Sequence, residues 1–128
     1  TELSLGEAVL TLYPPLGAGG INEEGLSLLC SCQDFDMLVT GDMDSETEAL
    51  LLQTANLPDL EVLVAGHHGS KHSSSAAFLE ATAPELTVIS VGDNSYGHPA
   101  PETLQRLEEA GAEVRRTDRG GTISITVY

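Results

Sequence analysis

The chain has 128 residues, enough for one domain with a modest core. Its formal net charge is −15, residues 1–70 contain no Lys or Arg, and four of its five basic residues lie between Arg106 and Arg119. This distribution excludes a basic nucleic-acid surface on the chain itself, and no apolar run is long enough for a membrane span. The acidity predicts a solvated surface, with exposure to high salt as the minority interpretation.

The first forty residues are predicted to form three strands. Ala8–Tyr13 and Leu26–Cys32 are apolar runs, separated by a glycine-rich loop at Leu16–Gly20. Phe35–Thr40 forms the third strand, joined to the second in a hairpin by the polar turn Gln33-Asp34.

The two cysteines, Cys30 and Cys32, lie on the second of these strands. Positions i and i+2 share one face of a strand, so both thiols point the same way. The spacing does not match a zinc finger, and two cysteines are too few for a disulfide framework. We therefore expect free, buried thiols.

Helices and strands alternate in the rest of the chain. Asp44 or Ser45 caps a helix that runs to about Ala55, with Glu48 placed to complete a capping box from Ser45. The later predicted elements are strand Glu61–Ala65, helix Ala76–Thr82, strand Leu86–Val91, a helix from Pro101 to the C′ residue Gly111, and strands Glu113–Arg116 and Thr122–Val127 around the turn Asp118–Gly121. This order predicts an α/β fold, with a mixed sheet carrying helices on one face and a single domain over residues 1–128.

The most informative motif is Gly66-His67-His68-Gly69-Ser70, which follows an apolar strand. Ligands of open α/β folds collect at the carboxyl edge of the sheet, where this motif lies. Asp42 follows the preceding strand in the same way, so the two strand ends together predict half of a metal site. A helix cap is an equal alternative for Asp42.

The two histidines have separate expected roles. If the strand persists to His67 and His68, they point to opposite sides, and only one joins Asp42 around a metal. The other donates a hydrogen bond or a proton to the substrate. Gly69 allows a ligand to approach the backbone, and His72 is predicted to be an ordinary surface residue.

Further candidates for substrate contact surround this motif. Ser70 can hydrogen-bond an imidazole or a phosphate, and Lys71 suits an anionic substrate or is an ordinary surface lysine. Asn94, Tyr96 and His98 lie in a later strand-to-helix loop and suit an oxyanion or phosphate. The alternative for that loop is a turn with a helix-capping histidine.

Together these motifs resemble a known family. The segments that carry the resemblance are Thr40-Gly41-Asp42, the His-His-Gly-Ser motif, Ile89–Gly92, Tyr96-Gly97-His98-Pro99, and Arg116-Thr117-Asp118 with Gly121-Thr122-Ile123. They are similar to the C-terminal half of the metallo-β-lactamase-fold domain of ComEC-type competence proteins and related metallohydrolases, including a phosphorylcholine esterase. The resemblance runs from about Leu26 to Tyr128.

The resemblance implies a fold and a ligand set. The fold is half of an αββα sandwich, whose complete site holds two divalent ions, zinc or manganese. Asp42 resembles the carboxylate that bridges the metals, and one histidine of the pair, with His68 favoured, resembles the late histidine ligand. His67 then lies beside the substrate phosphate and, with His98, is a candidate catalytic residue, whereas Ser70, Lys71, Asn94 and Tyr96 bind substrate.

One feature of the family is absent from the chain: the His-x-His-x-Asp-His motif that supplies most ligands. We therefore expect part of a hydrolase acting on phosphodiesters, DNA among them, with no activity and weak or no metal binding by the chain alone. The expected partner is the N-terminal half of the domain or a second copy, with no membrane contact by this segment. A ComEC-type protein would place it outside the cytoplasm or attached to the membrane. The alternative is a non-catalytic half-domain serving in assembly.

Overall fold

Seven strands lie side by side, in chain order, in one sheet. The computed structural model describes residues 1–14 and 26–127, so the loop predicted at Leu16–Gly20 lies outside the described residues. Strands β1 to β4 are antiparallel neighbours, and β4 to β7 are parallel. In order, the strands are Glu2–Leu5, Ala8–Tyr13, Ser27–Cys32, Phe35–Val39, Val62–Val64, Leu86–Ile89 and Glu113–Arg116.

Helices connect the parallel strands. The chain passes through α1 (Ser45–Thr54) between β4 and β5, α2 (Ala76–Thr82) between β5 and β6, and α3 (Pro101–Glu109) between β6 and β7. A short 3₁₀ segment at Gly66–Gly69, here called the His turn, precedes α2, and α4 (Thr117–Gly120) is a single turn after β7. The predicted α/β class and mixed sheet are confirmed.

One face of the sheet is buried beneath the helices. Strand register aligns Leu29, Leu38, Leu63 and Thr87 across β3 to β6, and none of these residues is more than 7% exposed. The same core takes in side chains from all three connecting helices: Leu51, Phe78, Leu79 and Leu107. Each connection advances by one strand in the same direction, so the right-handed crossover rule places these helices on one face.

The opposite face is apolar but carries none of these three helices. Register places Leu10, Cys30, Met37, Val62 and Leu86 in one row across it, and all except the buried Val62 are half-buried. We call this surface the helix-free face. Both cysteines lie on it as free thiols, half-buried where full burial was predicted.

Capping explains where α1 and α2 begin. The Asp44 carboxylate accepts from the Thr47 amide at 2.9 Å, so Asp44, not Ser45, caps α1. The capping box predicted for Glu48 is wrong, because its carboxylate turns instead to the segment before α2. The Ser75 hydroxyl accepts from the Phe78 amide at 3.1 Å and caps α2.

Two predictions at the chain termini are wrong. The N-terminal strand β1 was missed, although it pairs with β2 along its whole length. Among the described residues, the predicted strand Thr122–Val127 does not form, and α4 replaces much of the predicted turn. Gly121 adopts φ +67° and ψ −144° after α4, and a cleft of about 1120 Å³ separates Ile123 and Ile125 from β7.

Candidate functional site

The candidate site lies at the carboxyl edge of the parallel strands. Strands β4, β5 and β6 run in the same direction, so the loops that follow them meet at this edge. Asp42 follows β4, the His turn follows β5, and the loop containing His98 follows β6. The structure therefore brings together the three loops that hold the predicted site residues.

The Asp42 loop and the His turn are in direct contact. The His67 amide donates to the Gly41 carbonyl at 2.7 Å. A Cβ at Gly66 would lie 2.8 Å from the Met43 carbonyl oxygen, so only glycine allows the loops to approach this closely. Asp42 is exposed beside this contact.

The His turn has an unusual backbone. Strand β5 ends at Val64, and His67 (φ 50°) and His68 (φ 53°) both adopt left-handed conformations. Such conformations cost on the order of 1 kcal/mol for each residue with a Cβ, and they persist where surrounding contacts hold them. The strand does not persist to the histidines, so the condition under which they would point to opposite sides is not met.

The His68 ring is oriented by the main chain. Its Nδ1 lies 2.7 Å from the Ser90 carbonyl oxygen, just beyond β6. A carbonyl only accepts hydrogen bonds, so Nδ1 carries the proton and Nε2 of the neutral ring is left with a free lone pair. Metal-binding histidines have this arrangement, and His68 is exposed.

His67 and His98 lie against each other. Their ring centroids are 5.7 Å apart and nearly perpendicular, and the exposed Tyr96 ring lies 5.9 Å from His98. Desolvation lowers the pKa of His98 below its usual value, and charge on His67 and His68 lowers it further. His98 therefore remains neutral to lower pH than an ordinary histidine.

Gly69 permits the third loop to reach the His turn. Its φ is +81°, and an added Cβ would lie 2.8 Å from Cβ of Pro99. The Ala100 amide also donates to the Gly69 carbonyl at 2.9 Å. The close approach predicted at Gly69 is therefore made by Pro99 within the chain.

The predicted substrate-binding residues are differently placed. Lys71 is exposed, whereas Ser70 is buried and its hydroxyl accepts from the His72 amide at 3.2 Å. The Asn94 side-chain amide donates to Gly92 and His98 carbonyls and accepts from two loop amides, so it shapes the loop. His72 is exposed, as predicted.

The residues fit part of a metal site. Within residues 1–14 and 26–127, no three His, Cys, Asp or Glu side chains are grouped closely enough to hold a metal ion. The chain nevertheless offers two exposed donor residues at a single edge: the carboxylate of Asp42, and the imidazole of His68, whose Nε2 is not engaged by the Ser90 contact. This donor chemistry suits zinc or manganese as a partial set.

Three residues that matter to the site were missed. The Ser90 carbonyl orients His68, and a backbone carbonyl leaves no signal in a sequence. Glu48 and Arg106 hold the segment after the His turn, but their placement depends on how α1 and α3 pack. The spacing of Glu48 from Ser45 matched a capping box, which predicted a role at the start of α1 instead.

Comparison with known proteins finds similarity to competence proteins. The chain is 35% identical over 103 residues (80% of the chain) to "ComE operon protein 3" of Bacillus subtilis and 43% identical over 92 residues (70%) to "Competence protein ComA" of Neisseria gonorrhoeae. It is homologous to a segment of these proteins. "Recombination protein 2" of Haemophilus influenzae is 31% identical over 93 residues, or 72% of the chain.

The similarity covers only a small part of each relative. The matched segment spans 13% of the Bacillus and Neisseria proteins and 12% of the Haemophilus protein. No protein-family model matches the chain. Among the described residues, no helix is both long and apolar enough to cross a membrane.

Proposed function

We propose that this chain is the C-terminal part of a metallo-β-lactamase-fold hydrolase of the ComEC-like competence group, acting on phosphodiesters. The observation that carries the proposal is the His68 ring, held through Nδ1 by the Ser90 carbonyl with Nε2 free, beside the loop that holds Asp42. Similarity to proteins named for competence supports the same assignment.

Asp42 and His68 would hold the metal ions in the complete domain. Both side chains are exposed at the carboxyl edge of the sheet, and carboxylate oxygen with imidazole nitrogen is a suitable donor set. Divalent ions in such a site lower the pKa of water and stabilise negative charge on a phosphate. The remaining ligands belong to a segment outside this chain.

His67, His98, Tyr96 and Lys71 would act on the substrate. Desolvation lowers the pKa of His98, so its ring stays neutral to lower pH than that of an ordinary histidine, and a neutral ring can donate one hydrogen bond to a phosphate oxygen. Tyr96 is 81% exposed next to it and can bind the same anion. Lys71, the only basic residue before Arg106, lies exposed two residues after the His turn and contributes positive charge.

The helix-free face would receive the N-terminal half of the sandwich. Its central row is apolar, and a face of this kind on a soluble protein marks an interaction surface. The acidity of the chain favours a small phosphoester over DNA, whereas similarity to competence proteins favours DNA. Membership of the competence group would place the domain outside the cytoplasm or at the cell envelope.

The second candidate is a non-catalytic half-domain that serves in assembly. The helix-free face favours it, because this surface needs a partner whether or not the site is active. The two candidates differ in one respect: only the hydrolase needs Asp42 and His68.

The test uses a protein that contains both halves of the sandwich. With Mn²⁺ or Zn²⁺ added, we expect hydrolysis of a chromogenic bis-aryl phosphate, with Asp42→Asn and His68→Ala each lowering turnover at least about a hundredfold. His72→Ala, a matched change on an exposed neighbouring histidine, should leave turnover unchanged. Full activity in Asp42→Asn would show that the chemistry lies elsewhere and would favour the assembly role.

A further inference from the structure

The segment Ser70–Ser75, which joins the His turn to α2, is held by groups from outside it along its whole length. Helix α3 donates to the Ser70 carbonyl through the Thr103 hydroxyl at 2.7 Å, and the Ser45 amide donates to the His72 carbonyl at 2.7 Å. Most loops lie on the surface, where water can pair with their backbone groups, whereas Ser70, Ser73 and Ser74 are buried and their backbone groups need partners within the protein.

Arg106 provides three further contacts from α3. Its Nε donates to the Ser74 carbonyl at 3.0 Å, and its Nη2 donates to the carbonyls of Lys71 and Ser73, each at 2.9 Å. The rigid fork of a guanidinium suits several carbonyls at fixed spacing, whereas the ammonium of a lysine is a single point. Every carbonyl from Ser70 to Ser74 thus accepts a bond from α1 or α3 residues.

Glu48 holds the same segment from α1. Its two carboxylate oxygens accept from the Ser74 amide at 2.6 Å and the Ser75 amide at 3.0 Å. Only 1% of Glu48 is exposed, so these bonds form away from solvent, where a hydrogen bond is electrostatically stronger than in water. Burial of a carboxylate is costly, and a cap for α1 would not require it.

The held segment is joined to both halves of the candidate site. Its first residue donates from the Ser70 amide to the His67 carbonyl at 3.0 Å, inside the His turn. The Ser73 hydroxyl donates to the Met43 carbonyl at 2.6 Å, next to Asp42. A shift of this segment would therefore move the histidine turn and the Asp42 loop relative to each other.

We propose that Glu48 and Arg106 are positioning residues, which hold Ser70–Ser75 from two helices and thereby fix the left-handed His turn against the Asp42 loop. The inference rests on the proposed function for the role of that site. Neither side chain reaches the site itself. Both act through the backbone, and they offset the conformational cost of two left-handed histidines.

The experiment measures backbone hydrogen exchange and Zn²⁺ affinity in the protein that contains both halves of the sandwich and in variants of that protein. In Arg106→Met, we expect the amides of His67 and Ser70 to exchange at least tenfold faster, with β3 and β4 amides unchanged and Zn²⁺ affinity reduced at least tenfold. Arg106→Lys should not restore protection, because the single nitrogen of an ammonium cannot reach the carbonyls that Arg106 contacts from two separate nitrogens. Glu48→Gln, which has one acceptor oxygen, should show the same local effect more weakly.

Matched controls separate this role from general destabilisation. Arg115→Met alters an exposed arginine, and Glu46→Gln alters an exposed acid on the same helix as Glu48. Neither should change exchange in the His turn. The proposal would be overturned if Arg106→Met made exchange faster throughout the protein, or left exchange in the His turn unchanged. Full protection of the His turn in Arg106→Lys would also overturn it. If no variant or parent binds Zn²⁺, the metal site fails, while hydrogen exchange still decides the positioning role.

Discussion

Glu48 combines a structural position with a titration that can be measured. Its pKa is raised from 4.5 to about 7, because desolvation outweighs the opposing effects of the Ser74 and Ser75 hydrogen bonds and the charge of Arg106. A carboxyl group whose pKa is raised in the folded state favours folding fully below pH 4.5, and this contribution is lost as the pH rises through about 7.

The resulting prediction compares the parent chain with Glu48→Gln, which does not titrate. The free energy of unfolding of the parent, relative to the variant, should fall by roughly 2–3 kcal/mol between pH 5 and pH 8. Urea unfolding at several pH values measures this difference, with Glu46→Gln as the control on an exposed site. A difference that stays constant with pH would mean that Glu48 ionises in its ordinary range.

At the scale of single residues, the sequence predicted some features and could not predict others. Asp42, His67, His68 and His98 follow strand ends in the sequence. This was sufficient to predict that they lie at one edge of the sheet, because the carboxyl ends of parallel strands meet at the same edge. The Ser90 carbonyl could not be predicted, since it depends on the registry between the His turn and β6.

At the scale of elements, Gly69 controls how the His98 loop packs against the His turn. Gly69→Ala introduces strain at φ +81° and a contact of 2.8 Å with Pro99, so it should lower the free energy of unfolding by about 2–4 kcal/mol. Gly97 has the same φ of +81°, but a Cβ added there would have no atom within 4 Å. Gly97→Ala should therefore lower the free energy of unfolding by only about 1 kcal/mol. Equal losses in urea unfolding would show that the contact with Pro99 does not matter.

The interior elements were predictable because local signals agreed there with packing. Ser75 caps α2, and Pro101 begins α3. The terminal elements were not. Thr122–Val127 alternates as a strand would, yet the backbone at Gly121 directs it away from the edge of β7. Strand β1 forms by pairing with β2, and a short apolar stretch in the sequence does not specify such a pairing.

At the scale of the whole molecule, the helix-free face predicts association. A row of apolar side chains crosses the sheet from β2 to β6, and Met37 lies near its centre, between Cys30 and Val62 in register. Without another layer, all of these side chains except that of Val62 remain only partly removed from water, and burying them favours contact with another protein surface. We therefore expect the 128-residue chain to form dimers or larger assemblies.

Met37→Glu should weaken this association at least tenfold, because a carboxylate would be placed in an apolar contact, and tenfold corresponds to about 1.4 kcal/mol. The matched control is Leu50→Glu, which adds the same charge at a leucine 36% exposed on α1 and should not affect association. Sedimentation equilibrium measures both, after circular dichroism shows that each variant is folded. A parent chain that stays monomeric at high concentration, or equal weakening by both substitutions, would show that the helix-free face does not mediate contact.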